Sequence, residues 1–205
     1  MAAIRSDNVA MQTTSPSPIP VSHPGRESAV EAPLLRGLAP VVDARCRLLV
    51  LGSFPSVASL AAQQYYAHPR NQFWRVVGDL LGTDLVALPY ADRIGLVRER
   101  GIGIWDVYAH CRREGSLDSA IVDAVPNDLA ALRAGLPALQ LIAHNGGESA
   151  RAMRLTRGLA PEVMRLPSTS PANASWSYAR KRDAWAQAFE RAGIGAAPPW
   201  SGSVA

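Results

Sequence analysis

Lysine is all but missing from this 205-residue chain: of its 21 lysines and arginines only Lys181 is a lysine, beside two cysteines and four histidines. Each scarcity excludes something. Cys46 and Cys111 stand far apart with no Cys-x-x-Cys, which rules out an iron–sulfur cluster or a structural zinc site and leaves two reduced thiols. His68, His110 and His144 lack the spacing at which imidazoles share a metal, so neither metal nor cofactor is expected. The chain also has no Gly-x-Gly-x-x-Gly and no Walker lysine, which speaks against a nucleotide phosphate at a glycine turn. No apolar run reaches membrane-spanning length, and Met1 to Pro24 is polar, with Ser15-Pro16-Ser17-Pro18 inside it and no secretory core. A soluble cytoplasmic protein without membrane contact is the expectation.

What is present suits one globular domain. With 48% hydrophobic and 19% charged residues the chain can bury a sizeable core. Residues 1–33 are rich in serine and proline without periodicity and are expected to be a disordered tail, 34–195 the folded domain, and 196–205 a flexible tail. A net charge of +4 permits a polyanionic partner without demanding one.

Short apolar runs at Leu48–Leu51, Gly101–Val107, Leu139–Ala143 and Val163–Leu166 read as buried strands. Between them, amphipathic spacing predicts helices over Gln72–Leu81, Tyr90–Arg100, Pro126–Leu136, Glu148–Arg157 and Trp176–Ala192, with a short one in Val57–Gln64. Strands alternating with helices imply an α/β fold, a three-layer α/β/α sandwich around a mainly parallel four-stranded sheet. Gly52 follows the first strand at once, and ligand crevices of such sheets lie at the strands' carboxyl ends. Ser53, Phe54 and the amides around Ser56 should therefore face a bound molecule, as should Asp106 and Asn145 at the ends of the second and third strands.

Three separated stretches carry the densest chemistry: Gly52-Ser53-Phe54-Pro55-Ser56, His68-Pro69-Arg70-Asn71-Gln72-Phe73-Trp74 and Leu166-Pro167-Ser168-Thr169-Ser170-Pro171-Ala172-Asn173. In order and spacing they resemble the motifs of the hypoxanthine-DNA glycosylases, a branch of the uracil-DNA glycosylase superfamily, over about Arg45 to Gly193. The resemblance implies a monomeric enzyme of base excision repair, nucleoid-associated if bacterial, acting on double-stranded DNA that holds a deaminated base. Hypoxanthine is the expected base. A uracil or mismatch-uracil glycosylase, and a non-catalytic DNA-binding module of the same fold, stand as alternatives.

Hydrolysis of an N-glycosidic bond needs an extruded base in a reading pocket, a placed water and a grip on phosphates. Phe54 offers a stacking face, unless it is simply core, and Tyr66 falls in the same base-binding group. Many superfamily members carry an acid or Asn in the first motif; Ser53 and Phe54 stand there instead, which moves the water-placing role to Asn71, with Ser53 as a second catalytic candidate. As a plain helix cap, Asn71 would need a second rotamer to do both. Asp106 could accept the N1–H that hypoxanthine has and adenine lacks, or serve as a cap or surface charge. Asn145 is a further base contact. Ser56, His68, Ser168, Ser170 and Asn173 suit the DNA backbone, because hydroxyls and amides grip phosphate without reading sequence. His144 is a possible DNA or leaving-group contact, and Arg180, Lys181 and Arg182 read as a solvated basic helix face. With Lys181 the only lysine and past the last motif, strand cleavage through a Schiff base is not expected.

Overall fold

The computed structural model describes residues 32–195. The expected tails lie outside the described residues, apart from Ala32 and Pro33. Seven strands run β1 Leu34–Arg36, β2 Leu48–Gly52, β3 Ile102–Asp106, β4 Tyr108–Arg112, β5 Val122–Pro126, β6 Leu141–Asn145 and β7 Glu162–Leu166. The helices are α1 Val57–Ala62, α2 Phe73–Leu81, α3 Tyr90–Glu99, α4 Leu129–Ala134, α5 Gly147–Arg151, α6 Met153–Thr156 and α7 Tyr178–Arg191.

The four apolar runs form one parallel sheet in the order β3-β2-β6-β7. All five residues of β2 are buried, as a strand covered on both faces must be. Successive side chains alternate between the two faces. Leu48 and Val50 join Phe73, Trp74, Val77, Val97, Trp185 and Phe189 beneath α2, α3 and α7, whereas Leu49 and Leu51 join Leu129, Leu136 and Ile142 on the α4 side. Two cores flanking one sheet make the expected three-layer sandwich. Each fully buried aromatic or branched side chain contributes roughly 1.5–3 kcal/mol relative to exposure.

A second sheet was not legible. Strands β1, β4 and β5, none of them among the expected strands, form an antiparallel sheet in the order β1-β4-β5. Pro126 ends β5 instead of opening a helix; α4 starts at Leu129, capped by the Asp128 side chain, which accepts from the Ala131 N–H at 2.8 Å. Glu148–Arg157 is two short helices, α5 and α6, broken at Ala152. Among the described residues no helix is long and apolar enough to cross a membrane.

Candidate active site

The site begins with a missing side chain. Gly52, the last residue of β2, pairs with Asp106, the last of β3, and a β-carbon on Gly52 would overlap the Asp106 carboxyl. The carboxyl thus folds against bare backbone. Asp106 is 4% exposed, and its Oδ2 has no hydrogen-bond partner among the described residues. Burial, reinforced by the charge of Asp118 and opposed by Arg113, pushes its pKa up to about 7.

Asp118 comes from a single 3-10 turn, Asp118–Ala120, in the β4–β5 connection. Ser53 donates its hydroxyl hydrogen to Asp118 Oδ1 at 2.6 Å, and Ser116 in the same connection accepts from the Val57 N–H at 3.0 Å. Arg113 is buried, donates to the Pro55 carbonyl, and holds its guanidinium carbon 5.1 Å from the Phe54 ring centre. Phe54 is largely buried yet lines the cleft, so the core and stacking readings meet in one ring.

Tyr66 adopts a left-handed backbone, φ 56°, which few non-glycine residues do, and its ring stacks on Phe73 with centroids 3.9 Å apart. Asn145 Nδ2 donates to the Tyr66 hydroxyl at 3.2 Å and to Thr169 Oγ1 at 3.0 Å, while Asn145 Oδ1 accepts the Thr169 N–H at 3.0 Å. Asn145 therefore reaches the cleft as a tether for the last motif. Asn71 Oδ1 accepts the Phe73 N–H at 3.0 Å, at the start of α2, while Asn71 also lines the cleft. The N-cap position of α2 is Gln72 and not Asn71, so the plain cap reading does not hold; Asn71 sits one residue earlier, and its bond to the Phe73 N–H leaves Nδ2 without a bond among the described residues.

The Ser168–Asn173 loop is fixed from several sides. Its Thr169 carbonyl accepts the Gln72 N–H at 3.0 Å, and the Pro167 carbonyl accepts Trp185 Nε1 at 3.1 Å. Ser168 Oγ takes the Ser170 N–H at 3.2 Å, and Asn173 Nδ2 returns to the Ser168 carbonyl at 3.0 Å. Lys181 corrects the expectation of a solvated helix face. It is 2% exposed, and its ammonium donates to Gln72 Oε1 at 3.0 Å and the Asn173 carbonyl at 2.9 Å.

A cleft of about 760 Å³ opens at this rim, its lining including Ser53, Phe54, Ser56, Tyr66, Asn71 and Asp106 together with Asn145, Ser168, Ser170 and Asn173. Three motifs, the first and last more than a hundred residues apart in sequence, meet there. Ser56 also caps α1, its Oγ accepting the Ser59 N–H at 3.2 Å. His68 is not among the lining residues; its Nδ1 accepts the Arg70 N–H at 3.1 Å. His144 is withdrawn from any DNA contact. It is wholly buried, its ring nitrogens pair with the Ser149 and Thr156 hydroxyls at 2.8 and 2.9 Å, and burial lowers its pKa to about 4. Sequence reasoning missed Asp118, Arg113 and the cleft-lining Arg165. Only the polar run around Gly115, a plausible hairpin turn, hinted that the β4–β5 connection returns to the glycine turn.

Chemically, the cleft combines aromatic faces, a buried acceptor and many hydroxyl and amide groups at the carboxyl rim of a parallel sheet, groups that can stack on and hydrogen-bond a flat polar ring. The model of the uracil DNA glycosylase superfamily matches residues 39–191, and the chain belongs to that superfamily. Two curated relatives, each named hypoxanthine DNA glycosylase, are 36% identical in Methanosarcina barkeri (76% of this chain, 98% of the relative) and 40% identical in Methanosarcina acetivorans (75% and 97%). A solution structure of a Methanosarcina acetivorans protein assigned as a uracil DNA glycosylase superposes with a TM-score of 0.71 at 38% identity, covering 78% of this chain and 99% of its own.

Proposed function

We propose that this chain is a monofunctional DNA glycosylase of base excision repair, hydrolysing the N-glycosidic bond of deaminated bases with hypoxanthine preferred. The observation that carries the reading is the Asp106 carboxyl, buried at the cleft floor with one oxygen unpaired. Such an oxygen accepts a ring N–H. Hypoxanthine presents one at N1, where adenine has a lone pair that would face the carboxylate unfavourably. Phe54 and Tyr66 stack on the extruded base. Asn71, its orientation fixed by the Phe73 N–H, places the attacking water by its remaining lone pair and its unbonded amide group. Ser168, Ser170 and Asn173 hold the backbone beside the flipped nucleotide, with Ser56 and His68 further along it. Lys181, buried away from the cleft lining, supports hydrolysis without a Schiff base.

The test is single-turnover base release from duplexes holding inosine or uracil. The wild type should release hypoxanthine faster than uracil and leave an uncut abasic site. Asn71→Ala should slow release about 100-fold or more while duplex affinity, measured by fluorescence anisotropy, stays within a few fold. Faster release of uracil would replace the hypoxanthine preference; tight binding without any abasic product would leave a binding module.

A further inference from the structure

Asn71 can place a water but cannot take its proton, and neither Ser53 nor Phe54 in the first motif is a base. The fold delivers a carboxylate to that neighbourhood from elsewhere. Asp118 projects from the β4–β5 connection onto the glycine turn after β2, lines the same cleft as Asn71 and Asp106, and receives the Ser53 hydroxyl hydrogen on Oδ1 at 2.6 Å. One oxygen is thus held in place, and Oδ2 has no bond among the described residues. The residue is exposed at the cleft, within reach of water. Its neighbour Asp106 is buried with an unpaired oxygen, so the cleft floor is shaped to complete its hydrogen bonding with a bound molecule.

We propose that Asp118 is a catalytic residue of the hydrolysis assigned above, the base that accepts the proton of the water attacking C1′. The C1′–O bond forms as the C1′–N bond breaks, its electron pair leaves on the base, and the water proton passes to Asp118 Oδ2. The inference rests on the glycosylase reading. The groups whose charges bear on Asp118 are Asp106 on β3, Tyr108 and Cys111 on β4, Arg113 after β4, and Glu148 on α5. Desolvation raises its pKa, and the Ser53 hydroxyl and Arg113 oppose the rise while Glu148 adds to it.

The experiment follows single-turnover hypoxanthine release from an inosine duplex against pH in wild type, Asp118→Asn and Ser53→Ala. Asparagine still accepts the Ser53 hydroxyl, so the latch between the connection and the glycine turn survives while basicity is lost. Expected are a wild-type rate that rises with pH as Asp118 and Asp106 ionise, a loss of about 100-fold or more in Asp118→Asn that leaves only the Asp106 limb, moved to lower pH because a neighbouring charge is gone, and an Asp118 limb moved to higher pH in Ser53→Ala, where the hydrogen bond favouring the ionised form is gone. A purely structural latch would not move the limb. Release by Asp118→Asn at the wild-type rate with an unchanged profile overturns the proposal, as does an unmoved limb in Ser53→Ala should Asp118→Asn fail to melt cooperatively. Absence of release by the wild type would instead defeat the glycosylase reading on which the proposal stands.

Discussion

At Gly52 the functional content of a residue is the space it leaves. The Asp106 carboxyl fills that space, so the two positions form one device, a floor acceptor seated against backbone. Gly52→Ala should displace the carboxyl or bend the strand end. A melting experiment should register a loss of about 1–3 kcal/mol, the usual cost of overpacking, and hypoxanthine release should fall at least tenfold. Unchanged melting and release would show that the floor yields without consequence. Gly52, Phe54 and Asp106 were legible because each sits at or just past the end of a strand, and Asn71 because it lies in a motif just before α2. Asp118 was not: 65 residues separate it from Ser53, and nothing local in Ser-Leu-Asp-Ser reports that its connection turns back onto β2. Lys181 misled for a related reason. Arginines on either side suggest a solvated face, whereas the partners that bury it lie on another helix and a distant loop.

Among the elements, the parallel strands and long helices followed directly from apolar runs and helical spacing, because burial on both faces leaves a continuous hydrophobic signal. The antiparallel sheet left no such trace: β4 mixes Tyr108, His110 and Arg112 with Ala109 and Cys111, and β5 is mostly exposed. Its existence depends on long-range pairing of β1 with β4. Helix α7 does more than cover the sheet, since Lys181 pins the last motif to the start of α2. Lys181→Met keeps much of the buried volume but leaves the Gln72 amide oxygen and the Asn173 carbonyl without their donor. Chemical denaturation should show a loss of about 1–3 kcal/mol, and hypoxanthine release should weaken as the loop slackens. A borohydride trap should yield no covalent DNA adduct in wild type or variant; a wild-type adduct lost in the variant would reveal an amine nucleophile.

For the molecule as a whole, two buried titrating groups pull stability in opposite directions. Asp106 moves from its ordinary 3.8 to about 7 on folding, so stability present below 3.8 is lost as pH rises to about 7, by up to about 1.4 kcal/mol per pH unit. His144 moves from 6.5 down to about 4, so its stability is present above 6.5 and lost as pH falls towards 4. Asp106→Asn removes the first contribution alone. The melting temperature of the variant relative to wild type should climb between roughly pH 4 and 7 and then level off; a flat difference would place Asp106 at an ordinary pKa. Two segments that line the cleft also differ in kind. The Ser168–Asn173 loop is tied to the start of α2, to β6 and to α7, whereas the cleft-lining Ser116 and Asp118 belong to an exposed connection joined to the glycine turn by side-chain hydrogen bonds, with the buried Arg113 at its root. The last motif is thus a splint, braced by three elements at once, whereas the β4–β5 connection is a clasp fastened to the glycine turn at a few points.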